Sequence, residues 1–184
     1  IIYLFNMKSL NYILKKFNLP YNTIVIYGNH SSKSALRNKN RKIFSLATTK
    51  KFHRYWEEYL RNINLDVNII TLEIKELDLI TNNNTHQNVI VFAKKLNKFS
   101  LTQYLTDYDK EYQKLLILDQ LTDPNNIGAV IRSAFAFKFD AVCILKNKSP
   151  SETPSIIKAS AGEIEKIILI ELGNLVQEIQ KLKK

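Results

Sequence analysis

Cysteine is almost missing from this chain: Cys143 stands alone among 184 residues, so no internal disulfide can form and a reducing, cytoplasmic setting is expected. Histidine is nearly as scarce. His30, His53 and His86 are far apart in sequence, and with one thiol to help them they make no zinc-binding pattern. The four glycines, Gly28, Gly128, Gly162 and Gly173, are isolated from one another. Neither a dinucleotide-binding Gly-x-Gly-x-x-Gly nor a phosphate-binding P-loop can be built from them, which argues against a Rossmann oxidoreductase or a P-loop nucleotidase. Long hydrophobic runs are missing too. Ile1 to Phe5 is apolar, but Asn6, Lys8, Asn11, Lys15 and Lys16 break the pattern far short of the roughly 20 residues a membrane span needs. No signal-peptide core or small-residue cleavage site follows. No membrane partner is expected, and Met7, internal to a chain that begins with Ile1, is the expected start.

Acidic residues are in deficit. Lys and Arg number 27 against 17 Asp and Glu, a formal charge of +10, which favours contact with a polyanion. The positive residues are spread, with one denser region at Lys33, Arg37, Lys39, Arg41, Lys42, Lys50, Lys51 and Arg54. Within it Lys33, Arg37, Arg41, Lys42 and Arg54 are the candidate phosphate contacts. The competing reading is a generally basic, solvated surface.

Strand patterns fall at Thr23 to Tyr27, Ile43 to Ala47, Val67 to Leu72 and Val89 to Phe92, with a short helix at His30 to Arg37. Phe52, Trp56, Tyr59, Leu60 and Ile63 recur at helical spacing, which makes Trp56 a core residue. Tyr55 lies off that stripe beside Arg54 and is the better base-stacking candidate. The organisation expected is an extension over 1–20, a first α/β unit over 21–96, an irregular linker over 97–111 and a second α/β unit over 112–184.

The second unit holds the most informative stretch. A strand at Leu115 to Leu118 ends in Asp119, a turn carries Asp123, Pro124, Asn125 and Asn126, and a helix over Ile127 to Phe137 displays Arg132. Pro124 has no backbone donor and stops the strand, while the Asn residues can cap the incoming helix. Ile127, Val130, Ile131 and Ala134 form the buried stripe. Gly128, in the first turn, suits close approach of a phosphate or a polar substrate edge. A strand at Ala141 to Leu145 completes a parallel pair with a right-handed crossover, and Cys143 inside it reads as core. Beyond it lie a loop at Lys146 to Pro154, a helical turn at Ile156 to Ala161, a strand at Ile167 to Ile170 and a helix at Asn174 to Lys184. Taken on residues alone, an ordinary strand-turn-helix with a solvated Arg remains an open alternative.

Asp119, then Asp123-Pro124-x-Asn126-x-Gly128 and Arg132-x-Ala134, resembles the first motif of the SpoU (TrmH) family of RNA ribose 2′-O-methyltransferases. The likeness continues through Phe137, Asp140, Val142, Lys158-Ala159-Ser160-Ala161-Gly162 and Asn174-Leu175. In the first half, Ile26-Tyr27-Gly28-Asn29-His30, Ala35-Leu36 and His86-Gln87 resemble the family's substrate-binding domain. The resemblance implies an α/β chain: a ribosomal-protein-like α/β substrate-binding domain followed by an incomplete SPOUT (α/β knot) methyltransferase domain. It further implies methyl transfer from S-adenosylmethionine to a ribose 2′-hydroxyl, with guanosine in 23S rRNA expected, tRNA the competitor, and a homodimer for the complete domain. Arg132 and Asn126 are the catalytic candidates, Arg132 as a clamp on the target phosphate that polarises the hydroxyl, and Asn126 orienting the nucleotide or Arg132. The family's two later motifs, an Asn-Glu pair and a Ser-Leu-Asn, are expected beyond Lys184, so no cofactor-binding residue is expected within the chain. A non-catalytic RNA-binding module derived from the family is the alternative. Lys138, Ala141 and Asn88 stand where the family has glycine.

Overall fold

A computed structural model describes residues 12–108, 111–146, 150 and 152–182. Met7 and the Ile1 to Phe5 run lie outside the described residues, as do parts of the expected linker (109–110) and of the loop after Leu145 (147–149 and 151). The chain divides between Lys95 and Leu96 into two units. Among the described residues no helix is long and apolar enough to cross a membrane.

The first unit is built on a four-stranded sheet. Its strands are β1 (Thr23–Tyr27), β2 (Ile43–Thr48), β3 (Ile69–Thr71) and β4 (Val89–Lys94), in the order β1-β4-β2-β3. β4 is antiparallel to both neighbours, with Ile24 opposite Ala93 and Leu46 opposite Val91, while β3 joins β2 in parallel. The β-branched runs of β1 and β4 are buried along almost their whole length, as continuous apolar strands covered on both faces must be. The helices are α1 (Asn29–Arg37), α2 (His53–Asn62) and α3 (Ile74–Thr81). Trp56 and Leu60 are the buried residues of α2, so Trp56 is core as expected.

Two features of this unit differ from expectation. α3 is not among the helices that the sequence pattern predicts: Leu77 and Ile80 are its only buried apolar residues, too few to establish a period. Its start is marked instead by the Glu76 carboxylate, which accepts a hydrogen bond from the Glu73 N–H at 3.0 Å. The expected extension over 1–20 is also more than an appendage. Residues 12–16 are helical, and Ile13, 1% exposed, joins Val25, Ala47, Leu77, Ile90 and Phe92 in the core, with Phe17 and Leu19 packed against it.

The second unit has a parallel sheet of β5 (Leu115–Leu118), β6 (Ala141–Leu145) and β7 (Ile168–Leu172), in that order. Ile117, Cys143 and Ile170 are aligned across it. Its helices are α4 (Leu101–Asp107), α5 (Pro124–Ala136), α6 (Pro154–Ala159) and α7 (Leu175–Leu182). α5 carries the chain from β5 to its parallel neighbour β6.

The irregular linker expected over 97–111 is corrected by α4. Ser100 caps this helix, its Oγ accepting from the Gln103 N–H at 3.2 Å while Gln103 Oε1 accepts from the Ser100 N–H at 2.9 Å. Leu101 and Tyr104 are buried among Ala141, Cys143, Leu145 and Ile170. Phe99 bridges to Ile170, donating to the Leu169 carbonyl and accepting from the Glu171 N–H. A helix of 7 residues with two buried positions shows no period in the sequence; its capping residues were the readable sign.

Candidate functional site

After β5 the chain turns through Asp119 and Gln120, whose φ of 54° lies in the left-handed region. Asp123 caps α5. Its Oδ1 accepts from the Asn125 N–H at 3.1 Å and its carbonyl from the Ile127 N–H at 3.0 Å, with Pro124 at the first helical position. The Asn residues therefore lie inside the first turn and do not serve as its cap.

Asn126 and Arg132 are both exposed on α5. Six residues apart, they are separated by about 9 Å of helix rise and about 120° of rotation. Among the described residues neither side chain makes a hydrogen bond or an ion pair. Asn126 does not hold Arg132 in place, and all five guanidinium donors of Arg132 are open to a ligand.

Gly128 has a different role from the one its position suggested. It is buried, and a Cβ there would lie 2.5 Å from Ala159 Cβ, 2.8 Å from the Ile156 carbonyl oxygen and 2.9 Å from the Ser160 nitrogen. The close approach is used by α6, so no phosphate reaches this backbone. The motif glycine and the Lys158 to Gly162 segment are thus two sides of one helix-helix contact.

Of the three positions that lack the family's glycine, Lys138 and Asn88 are left-handed, while Ala141 is an ordinary strand residue of β6. Lys138 has φ 56° and follows α5 in a Schellman turn: its N–H donates to the Phe135 carbonyl, and the Phe139 N–H to the Ala134 carbonyl. Asn88 has φ 60° and precedes β4. In the first unit, Gln87 Oε1 accepts from the Asn29 N–H at 2.7 Å and thereby caps α1. His86, nearly buried, accepts from the Asn88 N–H at Nδ1 and reaches Asp78 through Nε2 at 3.0 Å. The Gly28-Asn29 and His86-Gln87 segments therefore hold each other, which is a structural role.

Of the five candidate phosphate contacts, one is removed. Arg41 is 5% exposed and donates to the Lys94 carbonyl at 2.8 Å, so it belongs to the framework at the end of β4. Arg37, Lys42 and Arg54 are exposed and Lys33 half-buried. Lys33 Nζ lies 5.4 Å from the ring centroids of both Tyr55 and Tyr59, and the Arg37 guanidinium 5.6 Å from that of Tyr59. Helical spacing places Tyr59 on the apolar stripe of α2, whereas the structure sets its ring against Lys33 and Arg37. The sign was there: Lys33 with Arg37, and Tyr55 with Tyr59, are each four residues apart on their helices and so share a face.

S-adenosylmethionine would need partners for a carboxylate, an ammonium and an adenine. The cavity of about 230 Å³ beside α5 is lined by Leu116, Ala129, Val130, Ala134, Phe137 and Phe139, with Ser133 its one polar side chain. Ser133 Oγ already donates to the Ala129 carbonyl. That cavity does not fit the cofactor. Cys143, 1% exposed, has its thiol pushed up to about 12 by burial and is core, as expected.

Comparison with known proteins matches both units. Residues 25–99 match the RNA 2′-O ribose methyltransferase substrate-binding family, and residues 113–184 match the SpoU rRNA Methylase family. The chain is 30% identical over 165 residues to the 23S rRNA (guanosine-2′-O-)-methyltransferase RlmB of Haemophilus ducreyi, covering 85% of this chain and 65% of that one. With the RlmB of Acinetobacter baylyi it shares 39% identity over 101 residues, 53% of this chain and 40% of the relative. It thus spans about two thirds or less of these relatives. In fold it is similar to an AdoMet-bound rRNA methyltransferase from Sinorhizobium meliloti, with a TM-score of 0.71 at 15% identity, covering 99% of this chain and 64% of the other. With a substrate-binding domain followed by a methylase domain that opens on the Asp123 to Arg132 motif, the chain belongs to the SpoU family of RNA methyltransferases.

Proposed function

We propose that this chain carries the RNA-handling part of a ribose 2′-O-methyltransferase that uses S-adenosylmethionine and acts on guanosine in 23S rRNA, in the cytoplasm and as a homodimer. The observation that carries this reading is the arrangement of α5: a helix anchored at Gly128 and capped by Asp123, with an exposed Arg132 whose donors are open among the described residues. A ribose hydroxyl is a weak nucleophile near neutral pH, so it has to be aligned and its developing negative charge stabilised. Arg132 is suited to both. Its guanidinium can grip the phosphate next to the target ribose in a two-point contact and polarise the hydroxyl, while its high basicity makes it a poor proton acceptor. Asn126, on another side of the same helix, contacts the nucleotide.

In this reading the chain's described residues grip and orient the RNA, and Arg132 stabilises the charge that develops on the target hydroxyl. The test is a form of the protein joined to the C-terminal segment of a relative, assayed for label transfer from S-adenosylmethionine to a 23S rRNA transcript. Arg132→Ala is expected to lower turnover about 100-fold or more with RNA affinity within about threefold. Equal losses in both would reduce Arg132 to a binding residue.

A further inference from the structure

We propose that Tyr55, Tyr59, Lys33 and Arg37 form a stacking platform for an unpaired nucleotide of the RNA; this rests on the reading that the chain binds RNA. Tyr55 is 46% exposed, whereas Trp56 beside it is 1% exposed. Trp56 holds both rings edge-on. Its centroid lies 5.3 Å from that of Tyr55 at 81° and 5.4 Å from that of Tyr59 at 77°. Two tyrosines are thus locked against a buried indole, so little conformational freedom is lost when a base stacks on the exposed one.

Lys33 Nζ sits 5.4 Å from both ring centroids, near the outer limit of a cation-π contact with either. It is shared between the rings and bound tightly to neither, which leaves it placed for the phosphate of a nucleotide whose base covers Tyr55. Arg37 extends the positive track. Its guanidinium lies over Tyr59, and the same side chain lines a cavity of about 320 Å³ together with Lys39. Arg54, the residue before Tyr55, is exposed.

A surface that gripped only duplex RNA would need cations and no exposed ring, because bases in an A-form helix present no face to a side chain. Alternating tyrosine and cation is the pattern expected where a strand is open and its bases are splayed onto aromatic rings. The platform therefore selects a looped or bulged segment.

The 184-residue chain would be titrated with a short fluorescein-labelled oligoadenylate and with a blunt RNA duplex of equal length, following anisotropy and the fluorescence of Trp56, the single tryptophan. Tyr55→Ala is expected to weaken oligoadenylate about tenfold and duplex by less than about twofold, with Tyr55→Phe close to the parent. Its salt dependence should stay unchanged, while Arg37→Ala should lower the slope by about one. In the parent chain oligoadenylate should quench Trp56 and duplex should not, a readout independent of whether any variant folds. Equal losses for both RNAs, a Tyr55→Ala without effect, or no quenching would overturn the platform and leave the RNA reading standing. Failure of the parent chain to bind either RNA would overturn both.

Discussion

Gly128 on α5 and Ala159 on α6 meet so closely that a Cβ on Gly128 would stand 2.5 Å from the methyl carbon of Ala159. Backbone atoms of Ile156 and Ser160 lie within 2.9 Å of the same point, so the neighbours cannot swing aside. Overpacking in Gly128→Ala should cost about 1 to 3 kcal/mol against the roughly 1 kcal/mol that alanine gains in helix propensity, a net loss of up to about 2 kcal/mol. Urea denaturation checks this, and a variant as stable as the parent would mean that the two helices separate readily.

Lys138 and Asn88 both hold left-handed backbone where the family has glycine, but the strain differs. A lysine there bears the full Cβ clash, whereas asparagine tolerates the region. Lys138→Gly is expected to stabilise the chain by about 0.5 to 1 kcal/mol, and Asn88→Gly to change little. Thermal melts of the two variants decide it; an equal gain for both would remove the distinction.

Arg41 and Arg54 come from one basic stretch and should respond in opposite ways. Arg41→Ala removes a charge-assisted bond to the Lys94 carbonyl from a side chain 5% exposed and should cost about 1.5 to 3 kcal/mol of stability. Arg54→Ala should leave stability within about 0.5 kcal/mol and reduce the salt slope of RNA binding by about one. Denaturation and binding measured on both variants would expose a reversal.

Cys143 couples stability to pH. Burial raises its thiol from the ordinary value of 9.0 to about 12, so the folded chain retains a proton that the unfolded chain loses first. Stability contributed by the neutral thiol is complete below 9.0 and declines as pH climbs from there toward about 12. The denaturation midpoint of the parent should fall more steeply over that interval than that of Cys143→Ala. Parallel slopes would contradict the burial of this thiol.

Titration of S-adenosylmethionine into the chain tests the division of labour between RNA and cofactor. The apolar cavity beside α5 offers no partner for the cofactor's charged groups, and calorimetry should show no saturable binding. Tight binding would mean that residues of this chain hold the methyl donor after all.

Much of this protein was determined by local pattern. The β-branched runs of β1 and β4, the β5-α5-β6 crossover and the exposed Arg132 all follow from period, propensity and a short motif, because each depends on neighbours within a few residues. The tertiary structure decided what depends on distant partners. Arg41 looked like its basic neighbours until the end of β4 at Lys94 enclosed it. Gly128 looked open until α6 closed on it. Tyr59 looked like part of a core stripe until α1 brought Lys33 and Arg37 to its ring. Sequence spacing records which residues share a face of one helix; only packing selects the element that the face meets, since burial and charge pairing are set by contacts many residues away in the chain.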